Sequence, residues 1–135
     1  MKRMLVAAMA ILFAAQGKTT GDGVYTEGQA KRGEQAYAKA CASCHGADLS
    51  GSGQAPALGD ADFNKEWDGQ PLSDLFDRIH ATMPADAPGT MKPEEVADVM
   101  AFIFARAHMP SGAGDLPSDS ATLRMITYAA PKPVR

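Results

Sequence analysis

The chain alternates between stretches with helical periodicity and stretches rich in glycine and proline. Within residues 26–40, 70–83 and 93–108, apolar or small residues recur every three to four positions, a spacing that places them on one face of a helix. These faces consist of Ala30, Gly33, Tyr37 and Ala40 in the first stretch, Leu72, Leu75, Phe76 and Ile79 in the second, and Val96, Val99, Met100, Ile103 and Phe104 in the third. The pattern predicts three helices, and a further short helical turn over residues 60–67.

The third of these helices has the clearest start. Pro93 suits the first helical position, where its missing N–H is not needed, and Glu94 and Glu95 suit the positive end of the helix dipole. The segment 46–60 is dense in Gly, Pro and Ser and is predicted to be a loop. No stretch alternates between apolar and polar positions as a strand would, so the fold class is predicted to be all-α.

The first 17 residues have a different composition from the rest. Lys2 and Arg3 precede an apolar run that ends at Ala15, without acidic residues, which is the layout of a secretory signal peptide. The run is too short to span a bilayer comfortably, although an uncleaved anchor or an N-terminal helix of the fold is the alternative. We therefore expect export, with cleavage near Gly17 and no stable membrane insertion afterwards.

These patterns divide the chain into four parts. Residues 1–17 are a signal peptide, 18–25 a flexible N-terminus, 26–110 the folded domain, and 111–135 a C-terminal tail that wraps over the surface or is partly disordered. A domain of this length has a small core, which usually needs a disulfide, a metal or a cofactor to be stable.

The charge of the chain limits its partners. The full sequence has 13 basic and 16 acidic residues, and loss of Lys2 and Arg3 with the signal would leave the mature chain still more acidic. Because no basic patch is available to neutralise phosphates, nucleic acid is excluded as an expected partner.

The candidate chemistry lies in residues 41–46, CASCHG, which contain the only two cysteines of the sequence. A zinc site would need four Cys or His ligands, and the other two histidines are far along the chain. A thioredoxin-like redox pair expects a βαβ context, and a disulfide over so small a loop would constrain the chain little. The order C-x-x-C-H is the signature of covalent haem c attachment. Cys41 and Cys44 would each add to one vinyl group, while His45 projects toward the iron.

A haem would supply the missing core, and its chemistry would then depend on the sixth iron ligand. A methionine raises the reduction potential and suits electron transfer, a second histidine lowers it, and an open position suits ligand binding or peroxide chemistry. Three of the eight methionines lie in the predicted signal, and Met100 lies on a helix face. The remaining candidates are Met83, Met91, Met109 and Met125.

From residue 33 to residue 106 the chain resembles the class I (monohaem) cytochromes c. The resemblance rests on GEQAY, CASCHG, APAL, DLFDRIHATMPADAPG and EEVADVMAFIF, in that order. It implies three to five helices around one covalent haem c, with Met83 as the sixth ligand. It also implies that the Pro56 carbonyl accepts a hydrogen bond from the His45 ring and that Trp67 faces a haem propionate. Gly33 and Tyr37 would pack against Phe102 or Ile103.

The residue sequences of these motifs are most similar to those of cytochromes that accept electrons from periplasmic quinoprotein (PQQ-dependent) dehydrogenases. His80 and Lys92 depart from that pattern, which has Arg and a Ser or Thr cap there. The resemblance implies a periplasmic electron carrier, not itself an enzyme, between a dehydrogenase and a terminal oxidase of the respiratory chain. The alternatives are a fixed cytochrome subunit of a dehydrogenase complex, and a haem enzyme or sensor with a labile sixth ligand.

Overall fold

The computed structural model describes residues 17–132, so the predicted signal peptide lies outside the described residues except for Gly17. A single 3-10 turn, Thr20–Asp22, precedes the helices. The helices are α1 (Glu27–Ala40), α2 (Ala42–His45), α3 (Ala61–Trp67), α4 (Leu72–Thr82), α5 (Pro93–Arg106) and α6 (Ser120–Leu123). Across the described part of the chain no helix is both long enough and apolar enough to cross a membrane.

The all-α prediction is confirmed, and α1, α3, α4 and α5 correspond to the four segments that the pattern predicted. Residues 17–132 contain isolated β-bridges but no strand. The helix count exceeds the expected three to five because α2 and α6 are single turns of four residues each, too short to show a periodic pattern.

Side-chain caps explain where the longer helices begin. The Thr26 hydroxyl accepts from the Gln29 amide at 3.0 Å before α1, and the Asp60 carboxylate accepts from the Phe63 amide at 2.9 Å before α3. At α5 the residue before the helix is Lys92, whose side chain cannot accept a hydrogen bond. Its backbone N–H instead donates to the Glu95 carboxylate at 3.0 Å. Each contact satisfies an amide that the start of a helix leaves unpaired.

Helices α1 and α5 cross at very close range. A Cβ added to Gly33 would lie 1.8 Å from the backbone oxygen of Asp98 and 3.0 Å from the Cβ of Phe102. One turn further along, the rings of Tyr37 and Phe102 pack at a centroid distance of 5.2 Å. The crossing fixes α1, which leads into the cysteine motif, against α5.

The two flanking segments, expected to be a flexible N-terminus and a tail that wraps over the surface or is partly disordered, are hydrogen-bonded to each other. Residues 115–132, here called the C-terminal strap, lie between the N-terminal segment and the turn that joins α3 to α4. The Thr127 amide donates to Lys18 O at 3.0 Å, and Thr127 O accepts from the Thr20 amide at 3.0 Å. The Thr20 hydroxyl donates to Ala129 O at 2.9 Å. Both segments are therefore parts of one folded unit with the central domain.

Candidate functional site

The cysteine motif continues directly from the end of α1. The Cys41 amide completes α1 by donating to Tyr37 O at 2.9 Å, and the amides of Cys44 and His45 both donate to Cys41 O, at 3.2 and 3.0 Å. Cys41 is half-buried and Cys44 exposed, and neither forms a disulfide. Two thiols are thus presented one helical turn apart.

The ring of His45 is held by the loop that follows it. The side chain is buried, and its Nδ1 lies 2.8 Å from the carbonyl oxygen of Pro56. Since a carbonyl only accepts, Nδ1 carries the proton and Nε2 keeps its lone pair. Among residues 17–132, Nε2 has no hydrogen-bond partner. Every fully buried side-chain nitrogen or oxygen of these residues does have a partner, so Nε2 is not one of the fully buried atoms. Nε2 is therefore at least partly accessible, and its lone pair is available to a metal ion.

Several contacts fix the loop that carries Pro56. The Gly51 amide donates to His45 O at 2.7 Å, and the Ser52 hydroxyl donates to Cys44 O at 2.8 Å. Gly51 has φ +80°, and a Cβ there would lie 2.7 Å from the Ala57 amide nitrogen, so this tight return requires glycine. The loop thereby brings the Pro56 carbonyl back to the ring. The motif did not indicate Ser52, because its contact depends on the path of the loop.

The electrostatics of Cys41 argue against a redox-active thiol. Burial raises the pKa of its thiol to about 11, so it stays protonated at neutral pH. Catalytic and redox cysteines have the opposite perturbation, a pKa lowered by a nearby cation or helix N-terminus. Burial of the neighbouring Tyr37 raises the pKa of its own hydroxyl to about 12, and this hydroxyl donates to Gly46 O at 2.6 Å.

Met83 caps the C-terminus of α4, where its amide donates to Ile79 O at 2.9 Å and its side chain is half-buried. Of the other candidates, Met91 is buried just before α5, and Met125 is 69% exposed. Met109 is buried after α5, and its carbonyl accepts from the Tyr25 hydroxyl at 2.6 Å, as suits a packing residue at a helix end. The exposure of Met125 therefore makes it the least suitable of the four candidates for the sixth iron ligand.

Trp67 lies in the last turn of α3 and is buried. Its ring packs on Phe63 at a centroid distance of 6.2 Å, and the guanidinium carbon of Arg78 lies 5.7 Å from its ring centroid. This cation–π contact joins α3 to α4. The sequence analysis did not identify Arg78, since its position over the ring depends on the angle between the two helices.

The described residues contain no cluster of side chains that would form a separate metal site. Over residues 17–132 no group of three or more His, Cys, Asp or Glu side chains is arranged to hold a metal ion. A surface groove of about 530 Å³ lies between α1 and α5, and it includes neither cysteine of the motif nor His45.

Two unpaired thiols one turn apart, followed by a histidine whose Nδ1 is engaged and whose Nε2 is open, match the donor set of a covalently attached haem. The molecule is a c-type cytochrome, and its cofactor is haem c. The model of the family described as cytochrome c oxidase, cbb3-type, subunit III matches residues 28–103. The chain belongs to this family, whose cytochrome c domain implies electron transfer.

A solved structure is similar to the same region. The sulfane dehydrogenase SoxCD from Paracoccus pantotrophus contains a chain that matches with 26% identity and a TM-score of 0.50. The match covers 59% of the present chain but only 44% of the SoxCD chain. A comparison with curated protein sequences finds no significant match.

We expect the haem to stay with the polypeptide in acid–acetone, because thioether bonds to Cys41 and Cys44 survive conditions that break iron–histidine coordination. The measurement is the haem absorbance of the precipitate and of the supernatant. The double variant Cys41→Ala/Cys44→Ala, carrying any haem that it retains, is the control and should release its colour. Free haem from the parent protein would contradict the attachment.

Proposed function

We propose that the chain is a periplasmic electron carrier, in which Cys41 and Cys44 would form the thioether links to the haem and His45 and Met83 would bind its iron. The observation that carries the proposal is the contact of 2.8 Å between His45 Nδ1 and Pro56 O, with Nε2 left open. When bound, the haem supplies a one-electron ferric/ferrous couple. The protein would therefore pass on one electron in each encounter.

The roles of the protein residues follow from their positions. A carbonyl that accepts from Nδ1–H fixes the tautomer and orientation of His45 and makes Nε2 a stronger donor. The covalent tether would keep the cofactor in place through both oxidation states. A thioether from Met83 would favour ferrous iron and raise the potential, as suits a carrier. The indole N–H of Trp67 would donate to a propionate, a role that rests on the resemblance.

The periplasm is proposed from the signal-like composition of residues 1–17. The donor would be a dehydrogenase, a quinoprotein by the similarity of the loop and helix motifs, and the acceptor a terminal oxidase of the respiratory chain. A dehydrogenase that removes two electrons from its substrate would need two encounters with this one-electron carrier.

A second candidate function is that of a fixed cytochrome subunit in a dehydrogenase complex. The similarity to a chain of the sulfane dehydrogenase SoxCD favours it. The two functions differ in how the protein purifies. A free carrier elutes as a monomer from a periplasmic extract, whereas a subunit co-elutes with dehydrogenase activity at moderate salt.

The carrier function is tested by reduction with a quinoprotein dehydrogenase and its substrate, followed at the ferrous absorption band. Exposed acids on and around α3 and α4 should repel a donor with an acidic docking face: Asp60, Asp62, Glu66, Asp68, Asp74 and Asp77. We expect the rate with such a donor to rise with salt, because screening weakens the repulsion.

The matched control separates this acidic face from the overall charge. The variant Asp62→Asn/Asp74→Asn should react faster at low salt and show a weaker salt dependence. Glu94→Gln, at the exposed start of α5, should change little if the donor docks at α3 and α4. A rate that falls with salt, or equal effects of the variants, would contradict the docking face. No reduction at any salt would contradict the carrier function with this donor.

A further inference from the structure

The C-terminal strap, residues 115–132, lies outside the part of the chain that the family model matches, which ends at residue 103. The strap is nonetheless part of the core. Four of its apolar side chains are buried: Leu116, Leu123, Ile126 and Tyr128. Such burial stabilises a segment by removing apolar surface from water, so the strap can hold the elements that it contacts.

Those elements include α4 at two points along its length. At the start of α4, the Leu72 amide donates to Ile126 O at 2.8 Å. One and a half turns further, the Asp77 carboxylate accepts from the Ser120 hydroxyl at 3.0 Å. Helix α4 lies against α6, which belongs to the strap, as well as against α5.

The strap is itself tied to the rest of the molecule. The Tyr128 hydroxyl donates to the Asn64 side chain on α3 at 2.5 Å, and the Tyr128 amide donates to Gln70 O at 2.8 Å. At the other end, Arg32 on α1 contacts the Asp115 carboxylate at 2.6 Å. The strap thus connects α4 to α3 and to α1, the helix that leads into the cysteine motif.

Helix α4 ends at Thr82, and the amide of the next residue, Met83, continues the helical hydrogen bonding by donating to Ile79 O. Helix α1, which leads into the cysteine motif, has its own close crossing with α5 at Gly33, whereas α4 is hydrogen-bonded to the strap at two points. The strap therefore contacts the helix from which Met83 follows, although it is far from that residue in sequence.

We propose that the C-terminal strap is a positioning element for Met83: it holds α4, so that the methionine sulfur would stay within reach of the iron that His45 would bind. The inference rests on the proposed ligation by Met83. Weakening the strap releases α4 and the methionine while α1 and α5 stay folded.

The test uses the full-length holoprotein and two variants that weaken the strap. Leu123→Ala removes a fully buried side chain, and Tyr128→Phe removes only the hydroxyl that contacts Asn64. Tyr25→Phe is the matched control, because it also loses one buried hydroxyl contact, to Met109 O, outside the strap. Met125→Ala controls for a change at an exposed side chain within the strap.

Two measurements are made on each variant: hydrogen exchange of the α4 and Met83 amides, and the weak ferric absorption that arises from sulfur-to-iron charge transfer. In both strap variants, exchange of the α4 and Met83 amides should accelerate more than exchange of the α5 amides. Leu123→Ala should also lose part of the absorption band. Neither control should do so.

Two outcomes would overturn the positioning role: unchanged α4 exchange in Leu123→Ala, or equal acceleration in α4 and α5. Exchange also separates this inference from the proposed ligation. If Met83→Ala keeps the band, the ligand assignment fails, but the α4 amides still report whether the strap holds the helix.

Discussion

Met83→Ala should lower the reduction potential and open the iron to external ligands such as carbon monoxide. A thioether stabilises ferrous iron over ferric iron, so its loss favours the oxidised protein. In a one-electron couple each 59 mV corresponds to a tenfold change in the equilibrium constant, and we expect a shift on the order of 100 mV. The measurements are a redox titration, carbon monoxide binding, and the sulfur-to-iron absorption of the ferric protein.

Methionine-to-leucine variants at the other buried candidates are the controls. Met91→Leu and Met109→Leu conserve volume, and such changes typically cost less than about 1.5 kcal/mol. Both should keep the parental potential and absorption band. If the band survives in Met83→Ala and disappears in Met91→Leu, the sixth ligand is Met91. If the parent lacks the band and already binds carbon monoxide, the protein is a haem enzyme or sensor with an open site.

Gly33→Ala should destabilise the protein strongly, by about 3 kcal/mol or more, at the upper end of what overpacking costs. The added Cβ would lie 1.8 Å from the Asp98 backbone oxygen, and a backbone atom cannot move aside as a side chain can. Helices α1 and α5 must therefore separate, which loosens the contact between Tyr37 and Phe102. The measurement is the free energy of unfolding from urea titration of the holoprotein.

Gly28→Ala is the matched control on the same helix. Gly28 is exposed, and an added Cβ there would have only ordinary contact, 3.9 Å from the Thr26 hydroxyl. Alanine is favoured over glycine in a helix by about 1 kcal/mol, so this variant should be as stable as the parent or more stable. Equal effects of the two substitutions would contradict the close crossing of α1 and α5 at Gly33.

Much of this molecule could be predicted from local sequence. The periodic stretches predicted α1, α4 and α5 because each of these helices buries one face against a single core, so that tertiary contacts reinforce the local pattern. Helix α3 was predicted only as a short helical turn. The residues CASCHG indicated haem c, because the attachment chemistry needs two thiols and a histidine within one helical turn. The nearby pairing of His45 with Pro56 followed from a family resemblance, and the structure places the two atoms at 2.8 Å. The roles of Trp67 and Met83 stay predictions.

The ends of the chain could not be predicted in this way. The strap has little periodic pattern, and its hydrogen bonds join residues far apart in sequence, such as Thr20 with Ala129 and Asn64 with Tyr128. Each of these contacts exists only after α3 and α4 have taken their places, and no local propensity encodes it. The same reason applies to Arg78 over Trp67, which depends on how two helices meet. Helices and haem attachment follow from neighbours in sequence, whereas the hold on α4 arises from long-range pairing that forms in the folded chain.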